Sequence, residues 1–576
     1  MNFSFLFDNF ALLFNSPESI AHLDEMILEL AVQGKLVEQD PTDEPAIELV
    51  NRIKAEREQL IRDKKIKKPK PLPPISPDEI PYELPEGWVW VRLGEITNFQ
   101  NGFSFASKDF TDVGVGVIRI GDIQDGAVSE QKMQYLSEDI ARNVSSEYRV
   151  NEGDLLIAMS GATTGKLGFN LSEKTYLLNQ RVGKIEPLYV NKSYIYYYLL
   201  TKIEYNLAIS AGSAIPNLST SQIIESLIPL STLNEQKRIV AKIESLLEKS
   251  SEIQTQLEQA NQEVIVLNQV GLNRLLEAKN GDEFRESSKF ISDNFDLLYS
   301  DQRNIEKLKQ AILQEALQGR LVPQYPTDES ATELIKRIKY DKAYLISKKK
   351  IKRTKPLPPI SPDEMPYELP EGWAWVRLGE IAVKLGAGST PRGGKSVYQD
   401  HGIKFIRSQN VWNNGLRLDD VVFISEEINA RMKLSVVKPK DILLNITGAS
   451  IGRSALVPDD FDTGNVNQHV TIVRLVDSEI RKFAHLCLIS PYVQKMIMDV
   501  QVGISREGLS MSRLATFLIP IPPLNEQKRI VAKVDKLMKL CDELESQLVQ
   551  SKQESEKLMQ AVLQEALTFN RSGKTG

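Results

Sequence analysis

Cysteine and histidine are scarce in this chain. Its 576 residues hold two cysteines, Cys487 and Cys541, and four histidines, His22, His401, His469 and His485. Two distant cysteines supply neither the close pair of a zinc site nor the framework of a small secreted protein, so a cytoplasmic protein with no metal site is expected. The histidines sit in unrelated contexts, where a structural role outweighs catalysis. Absent too are a Gly-x-x-x-x-Gly-Lys-Ser/Thr phosphate loop, a His-Glu-x-x-His pair and an Asn/Asp-Pro-Pro-Tyr/Phe loop, which leaves nucleotide hydrolysis and zinc chemistry without a home. The apolar start, Phe3 to Phe14, is too short to span a bilayer, carries Asp8 and is read as the beginning of a packed helix. A net charge of −6 argues against a uniformly basic nucleic-acid binder, although phosphate contact needs only local positive surface.

What the chain has in abundance is itself. Lys70 to Ile96 recurs 285 residues later as Lys355 to Ile381, with 25 of 27 positions identical. Leu233-Asn-Glu-Gln-Lys-Arg-Ile-Val-Ala-Lys242 recurs as Leu524 to Lys533, 291 residues on, so the stretch between the matched blocks gains six residues in the second copy. Inside that stretch Asp154-Leu-Leu-Ile and Gly161-Ala-Thr-Thr-Gly165 align with Asp441-Ile-Leu-Leu and Gly448-Ala-Ser-Ile-Gly452, while most neighbours differ. One fold carrying two different surfaces is the reading. The glycine pattern lacks the lysine of a nucleotide loop and fits a turn that ends a strand.

A helical element appears three times: Glu25 to Lys35, Gln310 to Arg320, and, shortened, Gln560 to Leu567. The chain therefore ends with the element that begins it, which predicts a pseudo-twofold molecule. Pro-Thr-Asp-Glu follows the first two copies, with Thr42 and Thr327 expected as helix N-caps. The next helices run into basic clusters, Arg62, Lys64, Lys65, Lys67, Lys68, Lys70 and Lys348, Lys349, Lys350, Lys352, Arg353, Lys355. Each cluster leads into Pro-Leu-Pro-Pro-Ile-Ser-Pro, a semi-rigid extended strut. These clusters are solvated helix ends or contacts to phosphates.

After each Leu-Asn-Glu-Gln block apolar residues recur at 4,3 spacing: Ile239, Ile243, Leu246, Ile253, Leu257, Val264, Leu267, and Ile530, Val534, Leu537, Leu544, Leu548, Leu558, Val562. Such a run predicts coiled-coil helices, and about 45 helical residues make a rod of roughly 65 Å. The expected organisation is a helical region with its strut (1–84), a first α+β lobe (85–230), a central helical region (231–369), a second lobe (370–522) and a final helix (523–576). In the lobes Arg119, Lys166, Asn179, Gln180 and Arg181, and then Arg392, Lys404, Arg407, Asn410, Arg453, Asn467 and Gln468, have the chemistry to read DNA: arginine pairs with guanine edges, asparagine and glutamine with adenine. Asn179-Gln180 matches Asn467-Gln468, and Arg119 matches Arg407.

Taken together, the two Leu-Pro-Glu-Gly-Trp-x-Trp-Val-Arg-Leu-Gly-Glu-Ile blocks (84–96 and 369–381), the Asp-Leu-Leu and Asp-Ile-Leu-Leu strands, the Gly-Ala-x-x-Gly turns and the Leu-Asn-Glu-Gln blocks before long helices resemble the specificity subunits of type I restriction-modification systems, in the subgroup with larger subunits. The resemblance implies two tandem α+β target recognition domains separated by long helices that pair as an antiparallel coiled coil. Each domain would read one half of a bipartite double-stranded DNA site, and the helices would set the spacer. It also implies a chain that is not itself an enzyme and binds no cofactor. Two modification subunits using S-adenosylmethionine and two restriction subunits using ATP and magnesium would be its partners, with no membrane involved. The two alternatives are a coiled-coil adaptor whose lobes bind protein and an enzyme in its own right.

Overall fold

The structure, a computed structural model, describes residues 14, 16–64, 66, 68–124, 126–210, 216–499 and 508–568. The fold is α+β, with two tandem lobes of related topology and long helices between and after them. Seven helices organise the rest: α1 (Pro17–Val32), α2 (Ala46–Arg62), α3 (Leu233–Glu277), α4 (Gly281–Asp293), α5 (Gln302–Leu317), α6 (Ala331–Ser347) and α7 (Leu524–Thr568). The chain forms two compact units, one of Met1–Ala260 with Gln553–Gly576 and one of Asn261–Lys552. Unit 1 thus takes the first part of α3 and the last part of α7; unit 2 takes the remainder of each. Apart from its buried last residue, Phe14, the apolar start lies outside the described residues, as do Lys65 and Lys67.

Each lobe is closed by a two-stranded antiparallel clasp between the first repeated block and the strand just before the second. Val89–Arg92 pairs with Leu227–Leu230 in unit 1, and Ala374–Arg377 with Leu518–Ile521 in unit 2, in the same register. In lobe 1 a six-stranded sheet runs in the order Thr97–Asn101, Val182–Pro187, Leu155–Ala158, Leu167–Phe169, Gly126–Val128, Ile123–Gln124. Lobe 2 keeps its first four as Ala382–Ala387, Val470–Leu475, Ile442–Asn445 and Ser454–Leu456. A second sheet in each lobe places the parallel pair Val115–Ile118 and Tyr176–Leu178, or Ile403–Ile406 and Gly464–Val466, at its centre. The variable stretch thus contains the recognisable strands of one fold, with insertions confined to the segments between them.

The identical blocks are identical because they hold one another. In unit 1 the indole Nε1 of Trp88 donates to the buried Glu235 at 2.8 Å, and Arg238 pairs with Asp43 at 2.8 Å. In unit 2 Trp373 donates to Glu526 at 3.1 Å, and Arg529 pairs with Asp328 at 2.8 Å. The Pro-Thr-Asp-Glu, Gly-Trp and Leu-Asn-Glu-Gln-Lys-Arg motifs therefore meet in one knot per unit. Asp43 is held below the usual carboxylate range first by the Arg238 guanidinium, as Asp328 is by Arg529.

Thr42 and Thr327 do not cap their helices. α2 begins at Ala46 behind Pro45, and α6 at Ala331 behind Ser330, because the Pro-Thr-Asp-Glu segment is instead a turn in which the Asp43 amide donates to the Asp40 carbonyl at 3.0 Å. Thr42 donates its hydroxyl to Asp40 at 2.6 Å.

The struts are clamped from the clasp. Arg92, nearly buried, donates to the carbonyls of Pro73, Pro74 and Glu225 and to both oxygens of Glu79, at 2.6 to 3.1 Å. Arg377 repeats this with Pro358, Pro359, Thr516 and Glu364 at 2.7 to 3.2 Å. Five donors in a planar fork are what a lysine lacks, which accounts for arginine in both copies.

The residues of the expected seam of α3 and α7 divide by what they pack against. Ile239, Ile243 and Leu246 join a core shared with α1, α2 and lobe 1, and Ile530, Val534, Leu537, Leu544 and Leu548 join the core of unit 2. Ile253 and Leu257 pack against a buried cluster of Phe14, Ile20 and Met559, and Val264 is half-buried. Leu267 and Leu558, however, are exposed, and their neighbours Asn268 and Met559 are buried. The interval from Ile239 to Asn268, and from Ile530 to Met559, is 29 residues. Eight turns at 3.6 residues come to about 29, whereas four heptads come to 28, so a straight helix drifts by one position off a strict heptad. The Val562 side chain lies outside the described residues.

Candidate nucleic-acid interface

Each lobe builds the same turn where its two sheets meet. In lobe 1 the turn Asn179 to Arg181 links Tyr176–Leu178 to Val182–Pro187. The Asn179 amide donates to the Ile118 carbonyl at 3.1 Å, and the Met159 amide donates to the Arg181 carbonyl at 2.9 Å. In lobe 2 the turn Asn467 to His469 links Gly464–Val466 to Val470–Leu475; the Asn467 amide donates to Ile406 at 3.2 Å, and Ile446 donates to His469 at 3.0 Å. A glycine permits the close approach in both: a Cβ on Gly102 would lie 1.9 Å from the Asn179 carbonyl oxygen, and one on Gly388 would lie 1.6 Å from that of Val466. Beside the turn stands the Gly-Ala-x-x-Gly loop, whose Gly161, Gly165, Gly448 and Gly452 take φ between 76° and 87°, a region costly to other residues.

These turns present different side chains. Gln180 is exposed, and Arg181 reaches Asn217, donating from Nη1 to Oδ1 at 2.8 Å. Phe103, 45% exposed and bridged to Asn179, packs its ring near Phe105 (5.1 Å) and Tyr148 (5.3 Å). In lobe 2 Gln468 is exposed and bonded to the Thr390 hydroxyl, while His469, in place of Arg181, lies 3.1 Å from the Gln468 amide and is bonded to Thr447. One lobe thus offers a guanidinium and aromatic rings, the other an imidazole and hydroxyls.

The other residues expected to contact DNA divide by what already holds them. Lys166 is half-buried and Arg392 is exposed, and neither makes a side-chain hydrogen bond or ion pair among the described residues. Arg453 stacks on Trp412 at 3.8 Å, opposite Arg417 at 3.7 Å, where the three line a cleft of about 820 Å³ with α5 and α7 rather than the turn. Lys404 is spent on Asp462 at 2.7 Å and lies over the Phe461 ring. Arg119 and Arg407 are equivalent fixtures: each guanidinium donates to a carbonyl 13 residues on, of Lys132 at 2.7 Å and of Asp420 at 3.0 Å.

Asn410 is not available to a base. It is fully buried, its Oδ1 accepts from the Arg407 amide at 2.9 Å, and its Nδ2 donates to Arg417 and Asp420. Its lobe 1 counterpart is Asp122, which accepts from the Arg119 amide at 2.9 Å and whose carboxyl burial pushes up. An amide whose hydrogen-bonding groups are all engaged cannot also read adenine. Asn467 is buried too and accepts from the His469 amide at 3.1 Å, and Asn179 is half-buried. Composition alone does not separate these fixed polar residues from the exposed ones.

Asn217, Phe103, Thr390 and Trp412 were not singled out by sequence reasoning, since each lies in a stretch that the two copies do not share. His469 gave a signal, because it stands where the first copy has Arg181. Among the described residues no group of His, Cys, Asp or Glu is arranged to hold a metal ion, and no helix is long and apolar enough to cross a membrane.

The chain matches the protein-family description "Type I restriction modification DNA specificity domain" twice, over residues 85–262 and 370–551. It is 30% identical over 574 residues to the type I restriction enzyme EcoAI specificity subunit of Escherichia coli, covering 95% of this chain and 94% of the relative. It is also 30% identical to the type I restriction enzyme EcoEI specificity subunit of Escherichia coli, with the same coverage of each. Among solved structures, the HsdS subunit from Thermoanaerobacter tengcongensis is 19% identical with a TM-score of 0.40, covering 85% of this chain and 98% of that one.

Proposed function

The chain belongs to the family of type I restriction-modification specificity subunits, and from that premise we propose that it directs its complex to a bipartite DNA site, one half read by each lobe. The observation that carries this reading is the pair of matched turns. A common scaffold holds Gln180, Arg181 and Asn217 in one lobe and Gln468, His469 and Thr390 in the other, so two half-sites of different sequence go with one mode of docking.

In this account the chain contributes recognition and geometry, and its partners contribute chemistry. Side chains on the turns read base edges in the major groove, while unpaired cations such as Lys166 and Arg392 meet phosphates and fix register. The basic residues around Lys68 and Lys348 add sequence-independent contact. Helices α3 and α7, each 45 residues long, pair as the ruler that sets the spacer and dock two modification subunits, and through them two restriction subunits. S-adenosylmethionine, ATP and magnesium belong to those partners, in the cytoplasm.

The reading is tested by exchanging residues 85–230 for the corresponding lobe of a relative and mapping the sites methylated by the reconstituted complex. One half of the target should change and the other should remain. A chain whose lobes bound protein instead would leave the methylated sequence as it was.

A further inference from the structure

Two copies of one repeat in one chain create an assembly hazard, because equivalent elements can trade partners between molecules. The two copies differ in a patterned way where α1 and α5 meet the long helices. At an offset of 285, Phe14, Ser19 and Asp24 correspond to Tyr299, Asn304 and Lys309; at an offset of 291, Ser250, Ser251, Gln254 and Asn268 correspond to Cys541, Asp542, Glu545 and Met559.

In unit 1 these positions carry one acid, Asp24, and no basic residue. Phe14, Ile20 and Met559 make a buried cluster against Ile253 and Leu257. Asp24 faces the small Ser250 of α3; burial pushes its carboxyl up, and the Ser250 hydroxyl pulls the other way.

In unit 2 the same positions are polar and charged. The Lys309 ammonium lies 2.7 Å from Asp542 and 3.0 Å from Glu545, and Gln302 donates to Glu545 as well. Tyr299, Asn304 and Asn268 are each almost wholly buried. The Tyr299 hydroxyl, the Asn304 Oδ1 and both amide atoms of Asn268 have no protein partner among the described residues. Where unit 1 carries a phenylalanine and a methionine, unit 2 therefore carries a phenol and an amide.

Exchange of repeats would mismatch every one of these positions. Asp24 would meet Asp542 and Glu545, leaving Lys309 against Ser251 and Gln254. Asn268 would enter the Phe14 and Ile20 cluster, and Met559 would cover Tyr299 and Asn304. Like charges in contact and a polar group buried in an apolar site are both unfavourable. We propose that this surface is a pairing key: α1 accepts the α3 face around Ser250 and the α7 end at Met559, α5 accepts the α7 face around Asp542 and the α3 end at Asn268, and the differences keep two copies of the chain from exchanging repeats.

The test gives both units the same key in the full-length chain. One variant writes unit 1 into unit 2 (Asn268→Met, Tyr299→Phe, Asn304→Ser, Lys309→Asp, Cys541→Ser, Asp542→Ser, Glu545→Gln). A second writes the charges of unit 2 into unit 1 (Asp24→Lys, Ser251→Asp, Gln254→Glu), so that the test survives if the first does not fold. Each is refolded from denaturant at increasing concentration beside the natural chain, and its mass is read by size-exclusion chromatography with light scattering. Val376→Ala, away from this surface, is the control for simple loss of stability. The natural chain and the control should return as monomer, while the symmetrised chains give a dimer fraction several-fold larger that grows with concentration. Symmetrised chains that refold to monomer as completely as the natural chain would overturn the proposal.

Discussion

The indole of Trp373 donates its Nε1 hydrogen to Glu526 at 3.1 Å, joining the start of the second lobe to the first turn of α7. Burial pushes the Glu526 carboxyl up, with the Trp373 N–H and the Arg529 charge pulling it back. Trp373→Phe leaves a buried carboxylate without this donor and should cost about 1 to 3 kcal/mol in chemical denaturation. Glu526→Gln keeps an acceptor for the indole and removes the charge. The folded-state pKa of Glu526 is raised, so its stabilising contribution is present at low pH and lost as pH rises above the ordinary carboxylate range. Relative to the natural chain, Glu526→Gln should therefore gain stability as pH increases. A variant whose relative stability fell with rising pH would place the desolvation elsewhere.

Glu315 offers a sharper pH test. It is buried on α5 where the first copy has Leu30, neither carboxyl oxygen has a hydrogen-bond partner among the described residues, and burial pushes its pKa up to about 7, against the pull of Arg320. Its contribution is fully present below about pH 4.5 and is lost as pH rises through about 7. Glu315→Leu should then stabilise the chain by on the order of 2 kcal/mol at pH 8 and by little attributable to charge at pH 4.5. Thermal melts at the two pH values check this, and an equal gain at both would contradict it.

Arg377 ties the strut to the clasp through five hydrogen bonds. Arg377→Lys keeps the charge but cannot span those acceptors, so a loss of about 3 kcal/mol is expected, with protease cleavage appearing near residues 355–364. Arg92→Lys should do the same near 70–79. A strut that stayed resistant in both variants would show that the prolines alone hold it.

On DNA, Gln180→Ala and Gln468→Ala should each weaken one half-site by about 1 to 3 kcal/mol and relax its sequence without touching the other. Lys166→Ala and Arg392→Ala should instead weaken all sequences alike and lower the slope of log affinity against log salt by about 1 each. Binding titrations at several salt concentrations with reconstituted complex separate the two behaviours.

The repeated motifs made the architecture legible because each is repeated for a contact: Trp88 with Glu235, Asp43 with Arg238, Arg92 with Pro73 and Glu79. What the sequence hid were choices of partner. Thr42 is a good N-cap by type, yet Asp43 was needed by Arg238 and the helix starts later. Asn410 and Gln468 are both amides able to pair with adenine, and only the fold decides that one is buried among Arg407, Arg417 and Asp420 while the other is exposed. Leu267 and Leu558 fit a heptad, but a straight helix turns them out within eight turns and brings Asn268 and Met559 in.

We propose that the two lobes read two half-sites of one DNA target. The most direct measurement is to express the chain with a modification subunit of its own system and map methylated adenines across host DNA by single-molecule sequencing. A split motif with a fixed internal gap is expected, its halves altered separately by Gln180→Ala and Gln468→Ala. A continuous motif, or a stable complex that leaves DNA unmethylated, would contradict it.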